Sequence, residues 1–215
     1  MVESLLNRAK AEMVAGNKHP SIQVTTRMFT IAVDAWAKSK EGSKAARRAE
    51  ILLQNMHEMY LATNNNDLKP TTGIFNAVVN AWAQSKADHA AHRCEQILEQ
   101  MDTLHKNGNV DVKPDTYTYN TVMHALAQNG GKESAIKALC ILNRMYQMYQ
   151  DGNHSAKPET ISFNIVINAL AKSKEKGAAA EAEKLLKKMT ILHEMGEDVK
   201  PNVVSYCAVV SEDKF

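Results

Sequence analysis

Apolar residues recur three and four positions apart along most of the chain. In one stretch Tyr119, Val122, Met123 and Leu126 fall at i, i+3, i+4 and i+7, which is one face of an α-helix. In another, Ala182, Leu185, Leu186 and Met189 line an apolar face, with Lys184, Lys187 and Lys188 on the solvated side. The first pattern predicts a helix, here called A, from about Thr116 to Gln128. The second predicts a helix B from Ala178 to about Glu194. Breakers separate the two kinds of segment: Gly42, Gly130-Gly131 and Gly177, with Ala87-Asp88 in one copy. Polar loops close each B helix, as at Asn64–Asp67, Asn107–Asn109 and Asp151–Asn153. The pattern predicts an all-α chain of helix–turn–helix units.

The units repeat. Lys-Pro stands at 69–70, 113–114, 157–158 and 200–201, giving proline spacings of 44, 44 and 43 residues. Proline suits a helix entrance, where its fixed φ helps and its missing N–H costs little. Each Lys-Pro is followed by an aromatic and then usually Asn: Phe75-Asn76, Tyr119-Asn120, Phe163-Asn164. The last copy has Tyr206-Cys207, and an earlier copy without Lys-Pro has Phe29-Thr30. Ala-x-Ala follows at 35–37, 81–83, 125–127 and 169–171, and a methionine falls late in each unit at Met56, Met101, Met145 and Met189. The alanines are expected to pack at an interface between repeats.

One hairpin of this size cannot bury both apolar faces, whereas a stack can. The spacing gives repeats at 26–70, 71–114, 115–158 and 159–201. Residues 1–25 read as helix B of a preceding repeat plus a linker, and 202–215 as the start of a fifth repeat with helix A only. Polar capping units are missing from both ends of the pattern, so the sequence is expected to be a piece of a longer protein.

Composition narrows the chemistry. The chain has 215 residues, 44% hydrophobic and 23% charged, with net charge +2. An excess so small points to no partner by itself. Cys94, Cys140 and Cys207 form no CxxC pair, as suits free thiols in a reducing compartment. Neither an apolar signal core nor an Arg-rich presequence is visible, and no apolar run approaches the roughly 18 residues of a membrane span. His89, His92 and Cys94 cluster near the start of a B helix, but a third or fourth ligand does not stand out, so a metal is not expected. Asp34, Asn80, His124 and Asn168 share one helix A position, where lining of a polar groove is expected. There is no Gly-rich phosphate loop, nucleophile elbow or paired-carboxylate motif, so neither catalysis nor a cofactor is expected.

The strings Lys113–Ala127 (KPDTYTYNTVMHALA) and Lys157–Ala171 (KPETISFNIVINALA) resemble the start of a pentatricopeptide repeat, and Ala182–Met189 resembles that family's second helix. The resemblance covers almost the whole chain and implies a right-handed α-solenoid. The family's unit is about 35 residues, as its name says, so these units are long. The surplus falls around the A–B turn and in helix B with its exit loop, outside helix A.

Pentatricopeptide arrays bind single-stranded RNA one base per repeat. Carried over residue by residue, the resemblance implies base-reading pairs Thr30 with Thr71, Asn76 with Asp115, Asn120 with Glu159, and Asn164 with Asn202. By the family's rule Asn with Asp favours uracil, and Asn with Asn a pyrimidine, often cytosine. The residue three before each first member would stack on the base. Tyr117, Ile161 and Val204 suit that role, Gly73 does not, and the first copy has Arg27. Lys38 and Lys172 fall where phosphate would be met, with Gln84 and Gln128 at the same place in other copies. The resemblance thus implies an RNA-binding adaptor for organelle transcripts, in mitochondrion or plastid, acting in processing, stability, editing or translation. A protein-binding scaffold of the tetratricopeptide type is the alternative. A guide for an enzymatic domain lying outside these residues is a third possibility.

Overall fold

The computed structural model describes residues 2–15, 24–39 and 41–210. Part of the linker expected before residue 26, Lys40 in the turn expected after the first helix A, and the end of the fifth repeat at 211–215 lie outside the described residues. Among the described residues every regular element is helical. The chain divides into two compact units, Met1–Lys113 and Pro114–Phe215.

The first unit holds α1 (Val2–Val14), α2 (Thr26–Lys38), α3 (Ser43–Thr63), α4 (Thr72–Gln84) and α5 (Ala90–Lys106). Helix α2 packs on α3 and α4, α3 on α4, α4 on α5, and α1 on α3. The second unit holds α6 (Thr116–Asn129), α7 (Gly131–Gln150), α8 (Thr160–Ser173), α9 (Ala178–Glu194) and α10 (Val203–Val210). Here α6 packs on α7 and α8, α7 on α8, and α8 on α9 and α10. Thus α2 in the first unit, and α6 and α8 in the second, each touch their own B helix and the next A helix. This is the packing order of a helical-repeat solenoid.

The periodic markers are core. Phe29, Phe75, Tyr119 and Phe163 are buried at one register, and Met56, Met101, Met145 and Met189 at another. Burying a side chain of this size stabilises by roughly 1.5–3 kcal/mol. The Ala-x-Ala pairs depart from the expectation. Ala81, Ala83, Ala125 and Ala169 are buried, but Ala37, Ala127 and Ala171 are half-buried and Ala35 is exposed. Residues two apart on a helix lie about 200° apart, so the two alanines cannot both face one neighbour.

Helix A begins in a fixed way. Pro114 precedes an extended Asp115, whose carboxylate accepts from Thr118 N–H at 2.9 Å while Asp115 N–H donates to Thr118 Oγ1 at 3.2 Å. That reciprocal pair is a capping box. Asn202 and Ser205 build the same arrangement at α10. Helices α2 and α4 begin on extended Thr25 and Thr71 without a side-chain cap bond.

A threonine in the first turn of each complete A helix fastens the loop that ends its repeat. Thr72 Oγ1 donates to the Lys113 carbonyl at 2.9 Å and accepts Lys113 N–H at 2.8 Å. Thr116 Oγ1 donates to the Lys157 carbonyl at 2.7 Å. Thr160 Oγ1 accepts Lys200 N–H at 2.9 Å, and Thr26 Oγ1 donates to the Asp67 carbonyl. Each hydroxyl thus meets backbone groups about forty residues on, half-buried at Thr72 and Thr116 and exposed at Thr26 and Thr160, closing the hairpin at its open end. The loop reaches this point through a left-handed residue just past helix B: Asn64 (φ 51°) in one copy, Gly108 (φ 92°) and Gly152 (φ 93°) in others. Glycine adopts this conformation without steric cost.

In the first unit a polar bracket joins three consecutive helices. Trp82 Nε1 donates to Glu50 at 3.1 Å, Glu50 pairs with Arg93, and the Arg93 guanidinium lies 6.0 Å from the Trp82 ring centroid. Its half-exposed charges add modestly to stability.

Candidate nucleic-acid interface

Successive steps of three, four and four residues keep one face of a helix in view. On α6 those steps give Tyr117, Asn120, His124 and Gln128. On α8 they give Ile161, Asn164, Asn168 and Lys172. In the first unit α4 carries Gly73, Asn76, Asn80 and Gln84, and α2 carries Arg27, Thr30, Asp34 and Lys38. Each of these four stripes is exposed at both ends, and its centre is half-buried or buried except at His124, which is exposed. The outer part of the stripe is tied along the helix: Gln84 Nε2 donates to Asn80 Oδ1 at 3.0 Å, and Gln128 Nε2 lies 3.2 Å from His124 Nδ1. The A helices pack side by side within each unit, so neighbouring stripes lie alongside one another.

The first exposed position of the stripe carries large apolar groups where the sequence allows. Tyr117 is 51% exposed, Ile161 55% and Val204 49%. Such area on water is unfavourable unless something covers it. Arg27 and Gly73 are exposed at the same register.

The expected base-reading positions lie one turn further in, and their bonding differs from copy to copy. Thr30 Oγ1 donates to the Thr26 carbonyl of its own helix at 3.0 Å. Asn76 is buried; it belongs to the first unit and Asp115 to the second. Asn120 Oδ1 is buried and has no hydrogen-bond partner among the described residues. Glu159 stands extended before α8 with its N–H donated to Ser162 Oγ at 3.1 Å, and no hydrogen bond links it to Asn120. Asn164 and Asn202 are brought together: Asn164 Nδ2 donates to Asn202 Oδ1 at 3.2 Å. Asp115, Glu159 and Asn202 all occupy the N-cap position of an A helix, and Thr71 does so at α4. The second member of each expected pair therefore also starts the next helix.

Lys38 and Lys172 are exposed at the far end of the stripe and form no ion pair among the described residues. The lysines of two Lys-Pro motifs are engaged instead. Lys69 Nζ lies 2.5 Å from Asp111 and Lys157 Nζ 3.1 Å from Glu197. Hydrogen bonds to those carboxylates hold both ammonium groups above the ordinary lysine range.

At the His89–Cys94 cluster, Cys94 is buried with its thiol 3.5 Å from the Val79 carbonyl, and His89 stands edge-on to Trp82 at 5.2 Å. Among the described residues no three His, Cys, Asp or Glu side chains converge on a point that would hold a metal. No described helix is long and apolar enough to cross a membrane.

Sequence reasoning passed over the hydroxyl just before the aromatic in three copies, Thr118, Ser162 and Ser205. All three are fully buried at the start of an A helix. Their signal was recurrence at fixed phase beside Tyr119, Phe163 and Tyr206.

Two-helix units packed in sequence within each compact unit define a helical-repeat protein. Residues 96–173 match the family model of the pentatricopeptide repeat domain, so the resemblance read from Lys113–Ala127 and Lys157–Ala171 holds across both strings. No curated protein matches the chain.

Proposed function

We propose that the chain binds single-stranded RNA sequence-selectively through the stripes of its A helices, one base per repeat, and carries out no bond chemistry itself. The observation that carries this is the register of exposed apolar side chains. Tyr117, Ile161 and Val204 each stand exposed one turn before the reading position, which is Asn120 in α6, Asn164 in α8 and Cys207 in α10. A flat base needs an apolar face to stack on and a polar group beside it to meet its edge. An asparagine amide supplies both a donor and an acceptor. The pentatricopeptide match at 96–173 supports the same reading, since that repeat is an RNA-binding module. Lys38 and Lys172, exposed at the far end of the stripe, would meet phosphate. The role that follows is in organelle transcript processing, stability, editing or translation, in mitochondrion or plastid.

The test is selection of the chain against a random single-stranded RNA pool, repeated with Tyr117→Ala and Asn120→Ala. Wild type should enrich a sequence. Tyr117→Ala should weaken binding by about 1–3 kcal/mol, and Asn120→Ala should erase preference at one position. Failure of wild type to enrich any sequence, with capture of an extended or helical peptide instead, would favour a protein-binding scaffold.

A further inference from the structure

A cavity of about 280 Å³ opens at the A–B turn end of the second unit, between the start of α7, the end of α8 and the start of α9. Its apolar walls are Ala135, Ile136, Leu139, Leu170 and Ala178. None of the stripe residues Ile161, Asn164, Asn168 or Lys172 lines it. The first unit shows what fills the same place. Aligning Met56 with Met145, Phe75 with Phe163 and Met101 with Met189 sets Leu139 at the register of Glu50, Leu170 at that of Trp82, and Glu181 at that of Arg93. Gly177 falls at the register of His89, which stands edge-on to Trp82. All four of these second-unit residues line the cavity. In the first unit, then, this place holds the Trp82 indole, buried and hydrogen-bonded to Glu50. In the second, leucine and glycine stand in place of the two rings, and the cavity lies where the rings would be.

The walls differ in the opposite sense. Where α3 has Arg47 and Glu50, α7 has Ile136 and Leu139. More apolar surface thus lies under less cover. Ile136 is 47% exposed, and such area on water is unfavourable unless something covers it. The rim is polar. Lys132 pairs with Glu175 at 3.4 Å, and Glu181 with Lys184 at 2.6 Å. Each carboxylate has lone pairs left for one more donor.

We propose that this cavity is the docking site for a tryptophan side chain of a partner protein, which takes the place that Trp82 takes in the first unit. The incoming ring covers Ile136, Leu139 and Leu170, and its N–H donates to a rim carboxylate. The cavity is smaller than the roughly 300–1,000 Å³ of small-molecule sites and suits a single anchoring side chain. A nucleobase would leave the polar groups of its edges unpaired against these apolar walls. A second copy of the chain has no exposed ring of this kind to offer: of its two tryptophans, Trp82 is buried and Trp36 half-buried.

The experiment titrates the isotope-labelled 215-residue chain with the blocked tripeptide Gly-Trp-Gly and follows its backbone amides by NMR. The amides of Ala135, Gly177 and Ala178 should shift saturably, at about millimolar peptide. The Gly-Leu-Gly analogue should bind about tenfold more weakly, because it covers less of the walls. Leu170→Trp supplies the ring from within, so it should abolish the shifts and raise the melting temperature. Should that variant melt lower than wild type, Ile136→Gln removes an apolar wall at an exposed position and should weaken the tripeptide severalfold. The proposal is overturned if those amides do not respond saturably, if Gly-Leu-Gly or adenosine binds as tightly, or if either variant binds the tripeptide as wild type does. It is also overturned if free indole binds more tightly than the tripeptide, which would mark a small-molecule site. Shifts that depend on protein concentration alone would mark a second copy as the occupant and overturn it too.

Discussion

Thr116 Oγ1 donates a 2.7 Å hydrogen bond to the carbonyl of Lys157, 41 residues further along the chain. It also lies 3.1 Å from the Ser155 carbonyl. One hydroxyl in the first turn of α6 thus holds the loop that leads into α8. Thr116→Val keeps the shape and removes the donor. It should cost about 1–2 kcal/mol, read as a lower urea midpoint at unchanged m value. An unchanged midpoint would mean that the bond adds nothing net to stability.

Tyr119 occupies the register of Phe29, Phe75 and Phe163, yet its buried hydroxyl finds no partner among the described residues. Tyr119→Phe removes an unpaired polar group and should raise stability by up to about 1 kcal/mol at neutral pH. Burial pushes the phenol from 10.0 up to about 12. Because the folded value is raised, its contribution is fully present below pH 10 and is lost as pH rises from 10 towards 12. The advantage of Tyr119→Phe over wild type should therefore widen across that window, by roughly 1 kcal/mol per pH unit. Urea titrations at pH 8, 10 and 11 would show a constant difference if the phenol were instead solvated.

The three cysteines should separate cleanly. Cys140 and Cys207 are exposed, whereas Cys94 is buried and burial pushes its thiol up to about 12. A colorimetric thiol reagent at pH 8 should titrate two thiols in the native chain and the third only after denaturant is added. Three fast thiols without denaturant would contradict the packing of α5 on α4.

Gly73 stands exposed at the register of Tyr117 and Ile161, and a Cβ added there would find its nearest neighbour, Thr71 Oγ1, at 3.8 Å. There is room for a side chain. Gly73→Ile should supply the missing stacking face and tighten binding of the enriched RNA by about 1 kcal/mol or more. It should also favour the helix itself, so affinity and melting temperature are both measured. A gain in melting temperature without a gain in affinity would count against stacking at this register.

Helix A was legible because its cues are local. Proline, an N-cap, an aromatic and an amide follow one another within a few residues, and α6 and α8 start where those cues lie. The methionines were legible as core through their period. What the local pattern hid was partnership across a repeat. Thr72, Thr116 and Thr160 look like ordinary first-turn residues, and their partners near Lys113, Lys157 and Lys200 lie about forty positions away. The Glu50–Trp82–Arg93 bracket was hidden for the same reason. Trp36 and Trp82 share one signature, yet Trp36 is half-buried and Trp82 buried, since burial depends on neighbours that a signature does not encode. At the candidate site the residue types and their phase were readable. Which amide is held and which is free was not, because that turns on a Ser205 hydroxyl 41 residues from Asn164.

The threonine fastener and the asparagine pair are out of step along the chain. Thr160 closes on Lys200, whereas Asn164 reaches past it to Asn202 and Ser205. A cassette spanning 159–201, moved into another array, would bring its own mechanical closure but leave its partner amide and its hydroxyl behind. Stability would travel with the cassette, whereas the bonding of the Asn164 amide would be set by the first four residues of whatever followed it. Anyone recombining such repeats should place the seam inside the next A helix, beyond Ser205, rather than at the loop.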